Sequence, residues 1–131
     1  MGRYAFFNTE LEYKFRFGIQ PSEDIRVFGG INRWDLATPG NKHHEWEQRD
    51  MAIIYKELEI LLLDYIVLNM PDFEQYDSTL EGTSELKLDL YEYYNKTKSI
   101  EDERTVARFI LGSLIYHQLL YKEKLLASYE E

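Results

Sequence analysis

His43-His44-Glu45-Trp46-Glu47 is the densest run of metal-binding and acid–base side chains in this sequence. His43 and Glu47 are four residues apart, so on a helix they would share one face. Imidazole and carboxylate are good ligands for zinc and related ions, but a site needs at least three of them. The third would have to come from elsewhere in the fold, with His117 as the remaining imidazole. The run is not His-Glu-x-x-His, because no second histidine follows at the required spacing. A polar helix start on the surface explains it more simply. No metal is expected, and His43, His44 and Glu47 stand only as weak candidates.

The cationic residues offer a second chemistry. Lys14 and Arg16 fall on the same face of one expected strand as Glu12, and Arg26 lies in the next. Arg3 and Arg33 fall at the margins of the same region. If these segments are paired strands, several cations share one sheet surface. Guanidinium groups present a planar fork that suits phosphate or carboxylate. Arg104 and Arg108 are four apart and would stand one helical turn from each other. Trp34 and Trp46 flank the middle of the chain, where a ring can stack on a ligand or close the core. Lys14, Arg16, Arg26, Arg104 and Arg108 together with Trp34 and Trp46 therefore form a candidate site for an anionic small ligand such as a nucleotide. His44, Glu47 and His117 would be its acid–base groups if it were an enzyme. The simpler alternative is cross-strand pairing of the same cations with Glu10, Glu12 and Asp24.

Catalytic signatures are scarce. Cysteine is absent, which excludes disulfides, thiolate catalysis and cysteine zinc sites. No Gly-x-Ser-x-Gly segment is present. Gly29-Gly30 lacks the spaced glycines of a dinucleotide or phosphate loop. Carboxylates are plentiful, but no spacing singles out a dyad. No cofactor is expected, and a non-enzymatic role is favoured.

Those residues are positioned by two kinds of element. Leu11, Tyr13, Phe15, Phe17 and Ile19 alternate with polar residues, the period of a strand with one buried face. From Met51 through Ile54, Leu58, Leu61 and Leu68 the apolar residues recur at three- and four-residue steps, the period of an amphipathic helix. Tyr4–Phe7, Leu11–Gln20, Ile25–Phe28 and Ile31–Leu36 read as an antiparallel meander of three or four strands. Pro21-Ser22-Glu23-Asp24 reads as a turn. Residues 37–44 read as a loop and 45–69 as a long helix stopped by Pro71. Residues 84–96 suit a helix or a strand. Ser99 reads as the N-cap of a last helix reaching Ala127, with Gly112 allowing close approach of another backbone.

The expected fold is α+β, with the meander over 1–36 and about three helices over 45–131 packed on one face of it. At 131 residues a single domain is expected. The net charge of −9 is uneven: residues 1–44 carry six positive and five negative charges, and residues 45–131 carry nine and nineteen. Such acidity disfavours nucleic acid as a partner. The apolar run at 60–68 is too short to span a bilayer, and the first residues lack a signal-peptide pattern. An intracellular, cytoplasmic protein is expected. Eleven Tyr and seven Phe supply side chains that suit core edges and interfaces alike. The function expected is protein–protein contact, with another protein or with a second copy, as an adaptor or inhibitor would make. Binding of an anionic small ligand is the alternative.

Overall fold

A computed structural model describes residues 4–7, 11–14, 21–34, 41–64, 70–96 and 103–130. The α+β class is what it shows: an antiparallel sheet with helices against one face. Strands β1 (Tyr4–Phe7), β2 (Leu11–Lys14), β3 (Ile31–Trp34), β4 (Asn41–Glu47) and β5 (Lys124–Glu130) are ordered β2-β1-β5-β4-β3. Every described pairing is antiparallel. The C-terminal strand thus lies between the two N-terminal hairpins, and the sheet is not a continuous meander.

Period-two alternation decides which side chains are buried. Ala5 and Phe7 of β1, Leu11 and Tyr13 of β2, and His44 and Trp46 of β4 point inward. Leu125, Ala127 and Tyr129 of β5 do the same. Above this face lies α4 (Glu103–Tyr121), whose Val106, Ile110, Leu111 and Leu114 are buried. Tyr13 fastens β2 to it, donating from its hydroxyl to the Ala107 carbonyl at 2.9 Å. Helices α2 (Met51–Asp64) and α3 (Leu80–Lys96) both pack on α4.

Four segments differ from the sequence reading. Residues 21–28 form a short helix α1 (Pro21–Ile25) and a 3-10 turn (Arg26–Phe28) instead of a turn and a strand. Proline suits a helix start, and the buried Ile25 and Phe28 are three apart, a helical spacing. Residues 41–47 form β4 rather than a loop and helix start. There the alternation is carried by His44 and Trp46, which an aliphatic search overlooks. Helix α2 begins only at Met51, after a 3-10 turn (Gln48–Asp50) closed by a reciprocal Glu47–Asp50 capping box. Finally, α4 ends at Tyr121 and residues 124–130 are strand. The open choice over 84–96 resolves as helix, with Leu86 and Leu90 buried one turn apart and Leu88 exposed. Residues 15–20, 65–69 and 99–102, which carried parts of the strand, helix and cap readings, lie outside the described residues.

Candidate interaction face

The face of the sheet turned away from the helices has an unusual composition. One register row runs Glu12, Phe6, Ser128, His43 across β2, β1, β5 and β4, and Arg33 of β3 pairs with His43 at its end. The next row runs Leu126, Glu45, Ile31. Tyr4 stands two residues before Phe6 and pairs with Lys14. Tyr4 and Phe6 are each 41% exposed, Ile31 is 45% and Leu126 is 37%. A solvated sheet face normally carries polar side chains. Grouped large apolar side chains on an outer surface are a mark of contact with something else.

Polar groups on this face are tied together. His43 Nδ1 and Ser128 Oγ are 3.1 Å apart. Lys124 Nζ lies 4.0 Å from Glu45 Oε1, and Arg49 Nε lies 3.1 Å from Glu47 Oε2. The His43–Ser128 contact has the residue types of a base and nucleophile. Both side chains are half-buried on the outer face of the sheet. What the surface can do is present rings and paired charges to another flat surface.

The residues singled out in the sequence are dispersed. His43 and His44 are consecutive in β4, so His43 faces outward while His44 is buried beneath the helices. They cannot ligate one ion together. Glu47 is occupied in the capping box that opens the turn before α2. Among the described residues no group of three His, Asp or Glu is placed to hold a metal. Trp46 is wholly buried, its ring 4.6 Å from His44 and 6.2 Å from Phe7 between centroids. Arg108 Nε donates to Asp24 Oδ1 at 2.6 Å, joining α4 to α1. Arg26 is exposed on the 3-10 turn rather than on a strand. Lys14 belongs to β2, Trp34 to β3 and Arg104 to α4, but their side chains, like all of Arg3 and Arg16, lie outside the described residues. A cleft of about 40 Å³ lined by Phe7, Leu11, Ser78, Leu80, Gln118 and Lys122 has room for water, not for a nucleotide.

Two buried histidines serve the core. His44 Nε2 donates to the Gly29 carbonyl at 2.5 Å, and Asn32 Nδ2 lies 3.4 Å from His44 Nδ1. Gly30 makes this approach achievable. It has φ of +81°, and a Cβ there would lie 2.7 Å from His44 Nε2. His117 Nε2 donates to the Tyr76 carbonyl at 3.0 Å, and Thr83 Oγ1 is 3.0 Å from His117 Nδ1. Gln118 Nε2 in turn donates to Thr83 Oγ1 at 2.7 Å. Burial lowers the pKa of both imidazoles below the ordinary value, and their bonds to backbone carbonyls act in the opposite sense. Each Nε2 faces a carbonyl oxygen and therefore carries a proton.

The residues that sequence reasoning missed are Leu126 and Ser128, because 124–127 read as the end of a helix. Their signal was present: Leu125, Ala127 and Tyr129 alternate with Leu126 and Ser128. Phe6 was placed on a strand without its face being assigned. Comparison with protein-family models, with curated proteins and with solved structures finds no match for this chain.

Proposed function

We propose that this protein is a non-enzymatic binding protein that acts through protein–protein contacts made by the outer face of its sheet. One observation carries this: Tyr4, Phe6, Ile31 and Leu126 are exposed together on the sheet face opposite the core. Burying such side chains against a partner is worth about 25 cal/mol per Å² of apolar surface. The paired charges around them would form the polar rim common to protein interfaces. Arg108 points away from the small-ligand alternative, since its Nε is already engaged by a buried carboxylate. The setting we infer is the cytoplasm.

The test is site-specific photo-cross-linking in cells. A benzophenone side chain replaces Phe6 in one variant and Glu59, exposed on α2, in another. Discrete protein adducts from position 6 and none from position 59 are the expected outcome. Equal labelling from both positions, or no adduct from position 6, would reject the assignment of this face.

A further inference from the structure

We propose that Tyr55, Tyr116 and Glu74 form a binding site for the ammonium group of a small alkylamine. These residues belong to α2, to α4 and to the 3-10 turn Phe73–Gln75. They lie on the helical side of the sheet, away from the outer face, and the site does not depend on how that face is used.

The rings supply the first argument. Phe73 is 5% exposed and anchors the group. Its ring lies 4.7 Å from that of Tyr116 between centroids, inclined at 48°. Tyr116 lies 5.5 Å from Tyr55, inclined at 53°. The three rings thus run from the core to the surface, with Tyr116 half-buried and Tyr55 38% exposed. The face of an aromatic ring is electron-rich, so a cation set over exposed phenol rings is attracted to them.

The oxygens supply the second. Glu74 follows Phe73 directly, so the residue that seats its ring in the core also delivers an exposed carboxylate beside it. Among the described residues, no hydrogen bond engages the Tyr55 or Tyr116 hydroxyl and no ion pair engages Glu74. Burial raises the Tyr116 phenol above its ordinary pKa, and Tyr55 and Glu74 act in the same sense. Both are therefore within electrostatic reach of Tyr116, and no cation of the described residues is among the groups acting on it. Lys56 is next to Tyr55 in sequence but projects about 100° further round the helix.

The surroundings select the ligand. Residues 51–92 hold ten acidic residues against two lysines, a field that gathers cations and repels anions. One carboxylate and two neutral phenols fall short of the oxygen ligands that calcium or magnesium takes. An alkylammonium matches what is offered. Its three N–H donors can meet the carboxylate and the phenol oxygens, while the rings receive its charge and its chain.

The experiment titrates the full chain with butylammonium chloride and follows the ring signals of Tyr55 and Tyr116 by NMR, with sodium chloride holding the ionic strength fixed. A saturable shift with a millimolar Kd is expected. Butan-1-ol, which has the same chain and no charge, should give no saturable shift. Glu74→Gln and Tyr55→Leu should each weaken binding by about fivefold, the second read from Tyr116. Glu81→Gln, which removes an exposed carboxylate from the first turn of α3, should leave it unchanged. All three substituted side chains are exposed, and circular dichroism checks that each variant is folded. Equal responses to butylammonium and butan-1-ol, or equal losses in Glu74→Gln and Glu81→Gln, would overturn the proposal. Protein adducts from the cross-linker at position 59, one turn along α2 from Tyr55, would overturn the free amine and give the site to a lysine of a partner.

Discussion

Ser113 and Trp46 each bury a polar atom without a hydrogen-bond partner, Ser113 Oγ in α4 and Trp46 Nε1 in β4. An unsatisfied buried donor costs about 1–3 kcal/mol relative to one that is bonded. Ser113→Ala removes the group with little change of volume, so the variant should be more stable than the wild type by about 1 kcal/mol, read from urea unfolding midpoints. The two buried histidines give a second prediction. Their neutral forms are favoured in the fold, where burial holds both pKa values below the unfolded value of 6.5. Above that value neither state carries the proton and stability is at its full level. As pH falls below it, the unfolded chain takes up protons first and stability declines until the lowered folded values are passed. The urea midpoint should therefore fall between about pH 7.5 and about pH 5.5, with a shallower slope in His117→Gln. A midpoint that does not move across that range would contradict the assignment. Arg26 and Asp50 act on His44, and Asp77 and Lys122 on His117, so local charge shapes the curve as well as burial. At this scale the sequence was only partly informative. His117 stood among the candidate acid–base groups, and it is a buried histidine with both ring nitrogens in hydrogen-bond contact. Nothing in His43-His44 indicated which of the two would be inside, because that depends on the strand register and not on residue type.

Helix α4 is the element on which the others converge, and Gly112 marks its closest contact. A Cβ there would run into the Phe28 ring and lie 2.8 Å from Leu58 Cδ2. The sequence suggested close approach of a backbone, whereas the neighbours are side chains of the 3-10 turn and of α2. Both neighbours are wholly buried and cannot retreat. Gly112→Ala gains helix propensity of about 1 kcal/mol, but overpacking a fixed core costs typically 1–3 kcal/mol. The net expectation is a destabilised protein, seen as a lower thermal midpoint, and Phe28→Leu in the same chain should restore part of the loss. Elements with strong periodicity were legible in kind: the alternating Leu11–Lys14 is strand and Met51–Asp64 is helix, although that helix starts at Met51 and not at residue 45. Those missed are short or weakly patterned. The apolar pair of α1 and its turn, Ile25 and Phe28, fits a four-residue strand until tertiary contacts decide. The Asp24–Arg108 bond that ties α1 to α4 spans 84 residues and has no local signature.

For the whole molecule the decisive feature is the position of β5. Class and layering were legible, since a period of two followed by a period near four already implies sheet and helices. Strand order was not, because pairing Ala5 with Tyr129 and Asn41 with Glu130 is a long-range choice. A chain shortened to end at residue 123 should fail to fold, rather than lose a peripheral strand, and its amide spectrum by NMR should collapse to the narrow range of an unfolded polypeptide. A folded truncated chain would contradict the central placement. The same arrangement bears on biosynthesis. Until residues 124–130 have left the ribosome, the β1–β2 and β3–β4 hairpins have no strand to join them. Each then offers an open backbone edge to any neighbouring nascent chain. Closure has to wait until this segment has been translated, which favours slow, late folding. A cell making this protein quickly has reason to shield those two edges, and co-translational chaperone occupancy should rise once β4 emerges and fall when β5 does.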